Sequence, residues 1–497
     1  MNYRLISRYL GFFVFAVGTL MLPSVLWALY FFYAEGDSAE SGALVAFLWS
    51  MGVAAIVGAV LVLIGRSAPD RMFQREALSL VSLSWIVAAA IGALPFIFSG
   101  VLGPVDAYFE SMSGFTTTGS TVITDIEAQP KSILFWRSFT QWVGGMGIVV
   151  LFIAVLPYLG AGGKQLFRSE SPGPDPRGLS PQIKDTASTL YKIYLGLTAL
   201  QTVALMVAGL SFYDALTHTL STLSTGGFST RQASIASFDS AAVEAIVLFF
   251  ILCSGTSFVL LFVMLRKEWK APFRDMEWRV YIGIFLIATG LVAANLMLAD
   301  PGQGDASEPY RFGDALRYAS FQVGTLLTGT GFTTSDFNAW PAFSRMLLVG
   351  LMFVGACAGS TTGGIKVVRL IMLVKMAYWR LECTFRPKTI RAVRIGGQVV
   401  GDDVQKMVYA FLVLYIMWFA GGTLFMSALG LPFETATTSV IATLNNIGPG
   451  LGLVGAKGDY AHIPDVGKIF LSLCMVLGRL ELFSVCVLFV PSFWRHS

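Results

Sequence analysis

Residues 115–121 read Phe-Thr-Thr-Thr-Gly-Ser-Thr, a glycine turn between a short apolar stretch and a long one. Three weaker versions follow, at 223–228 (Leu-Ser-Thr-Gly-Gly-Phe), 328–332 (Thr-Gly-Thr-Gly-Phe) and 445–450 (Asn-Asn-Ile-Gly-Pro-Gly). Each sets glycine after small or polar residues, at a comparable place between apolar segments. A chain that repeats such a turn four times suggests four quarters of a pore.

Composition names the solvent around these turns. Of 497 residues, 55% are hydrophobic and only 13% charged, and the mean hydropathy is +0.69. Soluble domains carry about 25% charged residues, so this chain could not cover a water-facing surface. In a bilayer, spans of about 20 apolar residues need no charged face. Ten are expected, near 9–34, 42–65, 77–100, 132–158, 189–212, 241–265, 280–299, 344–379, 406–430 and 466–491.

Before each glycine turn lies an apolar half-span, at 107–116, 215–223, 315–327 and 435–444. These are too short to cross hydrocarbon, which fits a re-entrant helix. Asp106, Asp214, Asp314 and Glu434 stand at their starts, where an acid satisfies free N–H groups and complements the helix dipole. The predicted fold is an all-α polytopic membrane protein. It has four pseudo-symmetric helix–pore-helix–filter–helix repeats around one central pore, plus an N-terminal pair of transmembrane helices. The expected division is 1–70 for that pair, then 71–160, 161–275, 276–400 (with a gating loop) and 401–497.

Arg4 and Arg8 precede an apolar run far longer than a secretory core, with no small-x-small cleavage site before Asp37. The run is therefore expected to stay as the first helix. Cys253, Cys357, Cys383, Cys474 and Cys486 show no paired ligand spacing and read as small core residues. With only His218, His462 and His496, a histidine metal centre is not expected. Alternate loops are basic (66–75, 164–184, 266–279 and 380–406), whereas the others hold Glu35, Asp37, Glu40, Asp125, Glu127, Asp239, Asp305 and Glu308. The basic side is expected in the cytoplasm, with all four turns on the opposite side. The net charge of +4 then needs no nucleic acid to explain it.

The turns make chemical sense as cation ligands. Non-helical backbone at membrane depth is tolerated where it is buried in protein or lines a watery cavity. A re-entrant helix points its C-terminal carbonyls inward, and the following residues can turn further carbonyls toward an axis, replacing an ion's hydration shell. Gly119, Gly226, Gly331 and Gly448 permit the backbone angles this needs. Thr117, Thr118, Ser224, Thr225 and Thr330 can pack or hydrogen-bond behind the carbonyls without adding charge. The turns hold no ring of carboxylates, which argues against a divalent cation.

Residues 109–121 (Phe-Glu-Ser-Met-Ser-Gly-Phe-Thr-Thr-Thr-Gly-Ser-Thr) resemble the first filter segment of bacterial TrkH/TrkG potassium-uptake subunits. Those belong to a superfamily with KtrB and the plant and fungal HKT/Trk transporters. The resemblance continues in 356–367 (Ala-Cys-Ala-Gly-Ser-Thr-Thr-Gly-Gly-Ile-Lys-Val) and 477–483 (Leu-Gly-Arg-Leu-Glu-Leu-Phe), and covers essentially the whole chain. It implies K+ as the transported ion, held by carbonyls of Thr117, Thr118 and Gly119; Ser224, Thr225 and Gly226; Gly329, Thr330 and Gly331; and Asn446, Ile447 and Gly448. Sodium-preferring relatives have serine in place of the first filter glycine, so Gly119 favours K+. It also implies an inner-membrane location, a homodimer, and a cytosolic TrkA-type nucleotide-binding ring docking on the basic loops.

Residues 355–364 interrupt the span 344–379 with four glycines (Gly355, Gly359, Gly363, Gly364) among Ser360, Thr361 and Thr362. Each glycine weakens helix by about 1 kcal/mol, and broken helices at membrane depth mark pathways. In the resembling family this is the intramembrane loop that gates conduction. Arg479 falls near the centre of the last expected span. An arginine there costs roughly 2.5–3.5 kcal/mol on insertion scales, so it should face a cavity or a partner. The resemblance makes it a cation below the filter; an ion pair with an acid on another helix is the structural alternative. Glu110 is expected to brace the filter, and Lys192 and Glu244 to lie near interfaces or snorkel.

Two motifs are set aside. Residues 450–455 fit Gly-x-Gly-x-x-Gly but follow a turn instead of a strand, and Gly162-Gly163-Lys164 lacks the rest of a phosphate loop. No nucleophile–base or metal constellation suggests an enzyme. The rival is a coupled secondary transporter, by K+/H+ or Na+ symport or for a small organic solute. An organic solute would need converging polar side chains, where these turns offer backbone.

Overall fold

A computed structural model describes residues 1–67, 73–155, 183–266, 268–299, 310–386 and 393–494. Among these, six helices are long and apolar enough to cross a membrane, and two bent helix pairs bring the number to eight. Against the all-α expectation, the described residues add a two-residue hairpin, Arg394–Ile395 with Gln398–Val399, and an isolated bridge between Val354 and Ile365. The boundaries at 70/71 and 160/161, most of the basic loop 164–184, and Gly162, Gly163, Lys164, Asp305 and Glu308 lie outside the described residues.

The first expected span is two helices, Tyr3–Thr19 and Leu22–Ala34, interrupted just before Pro23. They pack with Ala39–Ile64 against Gln74–Phe98 and Lys131–Val155. Glu40, expected in a solvated acidic loop, is fully buried instead. It accepts the Ser132 N–H at 3.1 Å and the Ser132 hydroxyl, capping Lys131–Val155 from another helix.

The four half-spans are helices Pro104–Phe115, Phe212–Leu223, Phe312–Leu327 and Phe433–Leu444. Each begins about one turn before the apolar pattern does, because an extended residue (Gly103, Ser211, Arg311, Pro432) starts it. The acids sit within the first turn, not at the cap. There three of the four meet cations: Lys468 reaches Asp106 at 2.5 Å, Arg231 reaches Asp214 at 3.2 Å, and Arg345 reaches Glu434 at 3.3 Å. At about 1.5 Å per residue, the 12-residue helices reach roughly 18 Å, well short of the bilayer's about 30 Å.

Each half-helix is followed by its glycine turn, a connecting segment and a second span. These second spans differ. Lys131–Val155 is one helix. The second is broken between Ala241–Ser254 and Phe258–Leu265, bent by 102°. The third is broken between Ala342–Met352 and Val367–Phe385. The fourth, expected to be continuous around Arg479, breaks after Asp465–Arg479 and bends by 119° into 483–489. At that break Glu481 and Leu482 both have positive φ, 57° and 55°. A single hydrophobic core joins the N-terminal helices, the first quarter and the fourth through Phe47, Phe109, Trp136, Leu444 and Met475. The chain's two ends therefore meet, which closes the quarters on each other.

Candidate ion pathway

All four half-helices end in the same way. Thr118, Gly226, Thr330 and Ile447 each donate their N–H to the carbonyl five residues upstream (Ser113, Ser221, Thr325, Ala442), all at 2.8 Å. The residue before each is left-handed: Thr117 (φ 54°), Thr225 (53°), Gly329 (65°) and Asn446 (54°). This is a Schellman stop. A β-branched threonine in that conformation is strained, at about 1–3 kcal/mol, so the surrounding packing must impose it twice.

One residue further on, the left-handed glycines are Gly119 (84°), Gly227 (75°), Gly331 (81°) and Gly448 (98°). The second position corrects the expected register. Gly227, not Gly226, corresponds to Gly119, and the second turn is Thr225-Gly226-Gly227 instead of Ser224-Thr225-Gly226. Ser224 is the helix cap.

These glycines also explain why the turns form a ring. A Cβ on Gly119 would lie 2.1 Å from the Gly226 carbonyl oxygen; on Gly227, 1.9 Å from that of Thr330; on Gly331, 2.0 Å from that of Ile447. On Gly448 it would lie 2.8 Å from the Thr118 carbonyl. Each turn thus presses its glycine on the next turn's backbone, first to second, second to third, third to fourth, and fourth back to first. Such contacts leave no room for a side chain at any of the four positions.

Side chains hold the ring from behind. Thr118 and Thr330 hydroxyls bond those of Thr116 and Thr328, both at 2.8 Å. Asn446 Nδ2 donates to Thr118 Oγ1 and to the Met475 carbonyl, at 2.9 Å each. The Gly226 carbonyl accepts from Gln141 Nε2 at 2.7 Å, and that of Gly448 from the Tyr460 hydroxyl at 2.7 Å. Glu110 braces the first turn's outgoing leg, accepting from Val122 N at 2.9 Å and Thr121 Oγ1 at 3.0 Å. Arg137 pairs with Glu110 at 2.8 Å, both fully buried, and donates to the Ser229 carbonyl of the second turn at 3.1 Å. At the position matching Glu110, His218 bonds Ser229 Oγ at 2.9 Å and Gln322 bonds Thr334 Oγ1 at 3.4 Å. A polar residue five places before each half-helix end was the signal for these braces. Arg137, Gln141 and Tyr460 gave none, because each meets its partner through the tertiary fold and not within a local motif. Glu244, expected to snorkel, is buried and paired with Arg317 through both oxygens at 2.7 and 2.8 Å.

Below the ring lies the 355–364 segment, non-helical between Ala342–Met352 and Val367–Phe385. Its two ends are stitched together, Gly355 N to Ile365 O at 2.8 Å and Val367 N to Ala356 O at 3.2 Å. Gly359 and Gly364 have positive φ. Thr361 Oγ1 donates to the Leu223 carbonyl, the last of the second half-helix, at 3.1 Å. A Cβ on Gly363 would come within 2.6 Å of the Asn445 carbonyl. Ser360 Oγ returns to the Cys357 carbonyl, and the buried Lys366 ammonium donates to that of Thr362.

Arg479 reaches this segment. Its guanidinium donates to the Thr361 carbonyl at 2.5 Å and to that of Gly144 at 3.1 Å. Two neutral carbonyls accept from it while its buried Nε has no hydrogen-bond partner among the described residues, so the positive charge is not cancelled by these contacts. The nearby acid, Glu481, pairs with Arg369 at 2.5 Å. No cluster of His, Cys, Asp or Glu suited to a metal ion occurs among the described residues, and the cysteines there are unpaired.

The fold and the ring define a helical, multi-pass membrane protein built of four pseudo-equivalent re-entrant repeats. A family model described as Cation transport protein, TrkH, matches residues 46–496. The Trk system potassium uptake protein TrkH of Halomonas elongata is 40% identical over 499 residues, covering 100% of both chains. The Trk system potassium uptake protein TrkG of Escherichia coli K12 is 33% identical, covering 99% of both. The crystal structure of the potassium transporter TrkH from Vibrio parahaemolyticus superposes with a TM-score of 0.88 at 35% identity, over 100% of both chains. The chain belongs to the TrkH/TrkG-type family of cation transport proteins.

Proposed function

We propose that this protein takes up K+ across the inner (cytoplasmic) membrane through the four-turn ring. The observation that carries this is the cyclic packing of Gly119, Gly227, Gly331 and Gly448 on neighbouring carbonyls. It brings the backbone of four turns together with no carboxylate among them, chemistry that suits a large monovalent cation. The ligand residues are Thr117, Thr118 and Gly119; Thr225, Gly226 and Gly227; Gly329, Thr330 and Gly331; and Asn446, Ile447 and Gly448. K+ is the cargo; no catalytic cofactor or enzymatic step enters the reading.

Conduction is gated by residues 355–364 together with Arg479. The segment plugs the space under the ring, and Arg479 places a positive charge there that repels K+ until the segment moves. The family resemblance supports a homodimer controlled by a cytosolic TrkA-type nucleotide-binding ring. The repeat boundaries given from sequence stand as the working division of the chain. Competition for radioactive Rb+ uptake into proteoliposomes tests the whole reading. K+ should compete strongly, Na+ weakly and organic solutes not at all. Competition by solutes but not by K+ overturns it.

A further inference from the structure

The segment below the ring hangs from a carboxylate that no sequence motif announced. Glu277 lies in the first turn of Met276–Met297, two residues after its cap Asp275, and is buried. Its Oε1 accepts the Ala358 N–H at 2.8 Å and the Val368 N–H at 3.1 Å. Those amides are ten residues apart in sequence, one on the entry to the loop and one on its exit.

The geometry has a physical reason. Val368 N–H is among the first amides of helix Val367–Phe385, which have no partner within the helix. Its own cap residue, Lys366, makes no side-chain capping bond. The carboxylate of another span therefore caps this helix, at the end where the helix dipole favours negative charge. With its other bond it fixes the loop's entry strand. Buried amides left without that acceptor would carry the full penalty of an unmade bond. Glu40 caps Lys131–Val155 across helices in the same manner, but there no loop hangs from the contact.

We propose that Glu277 is a positioning residue for the loop 355–364, holding its two ends together and thereby keeping it closed under the ring. The proposal rests on the reading of that loop as the gate. It assigns the closed state a fixed point at the neck, distinct from Arg479 and Thr361 at the tip.

The test uses the full-length protein in lipid, as Glu277→Ala and Glu277→Gln. Hydrogen–deuterium exchange of peptides across 355–368 is measured beside Rb+ influx. Glu277→Ala should speed exchange there by about 10-fold or more, since two bonds to a charged acceptor are lost. Exchange in Gln74–Phe98 should be unchanged, and Rb+ influx should rise with the K+ over Na+ preference intact. Glu277→Gln keeps an acceptor oxygen and the shape, so both effects should be smaller; it also serves if the alanine variant does not fold. Unchanged loop exchange in Glu277→Gln and any folded Glu277→Ala overturns the inference. Faster exchange with unchanged influx leaves Glu277 as the loop's support and overturns the gate reading instead.

Discussion

The four glycine turns and the four second spans behind them obey opposite rules. The turns share one register, one hydrogen-bond pattern and one left-handed residue at each equivalent place. The second spans share almost nothing. One is continuous, one bends by 102°, one opens into a loop, and one bends by 119° at two positive-φ residues. The difference is physical. A ring that replaces a hydration shell needs equivalent carbonyls from every side, so each turn is held to the same geometry. A gate needs only one element able to move, and fourfold repetition of it would add nothing. Asymmetry also lets the spans hold each other in place: Arg479 from the fourth quarter bonds the loop of the third and Gly144 in the first quarter's second span, Lys131–Val155.

The largest expected effect breaks the ring. Gly227→Ala puts a Cβ where the Thr330 carbonyl oxygen stands, at 1.9 Å, on a left-handed residue, and should abolish Rb+ uptake. Gly226→Ala has the Gln141 side chain as its nearest neighbour, at 2.4 Å, and is not left-handed, so it should keep measurable uptake. Equal loss in both would return the second turn to the register read from sequence.

Next is the brace. Arg137→Met leaves the Glu110 carboxylate buried without its partner, which should cost about 3–5 kcal/mol, read by thermal unfolding in detergent. A cost under 1 kcal/mol would mean that the turns hold their shape without this support.

On the asymmetric side, Arg479→Ala removes two bonds to carbonyls and the charge beneath the ring. Rb+ leak in proteoliposomes should rise on the order of 10-fold, the scale of one or two charged hydrogen bonds. Shortening 359–364 should act in the same direction. A folded variant with unchanged or lower leak would remove these residues from the gate. The smallest effect belongs to Arg345→Ala. Its pair with Glu434 is half exposed, so about 0–1 kcal/mol is expected with uptake unaffected.

The half-helices were legible because each couples a short apolar run to a glycine turn and an acid, signals contained within about 20 consecutive residues. The tandem glycines at 226–227 were not. Nothing local says which of two adjacent glycines turns left-handed; the Gly226 N–H to Ser221 and the neighbouring Thr330 carbonyl decide. The bends at 255–257 and 480–482 were not read as breaks, although Gly255-Thr256-Ser257 and Glu481 interrupt the apolar runs there, because small residues and single charges also occur inside continuous spans. Glu244 and Glu40 looked like interfacial acids because sequence shows neither Arg317 nor the open helix start at Ser132.

By itself the sequence determined the apolar spans of a membrane protein and the four half-helices with their glycine turns, since composition, span length and residue size act locally. Tertiary structure alone decided the second turn's register, the breaks in the second spans, the Glu110–Arg137 brace and the support of the loop at Glu277. The register, the brace and the loop's support each depend on groups distant in sequence that meet only in the fold. Backbone groups are the same at every residue, so their partners become visible only once the chain has closed its ring.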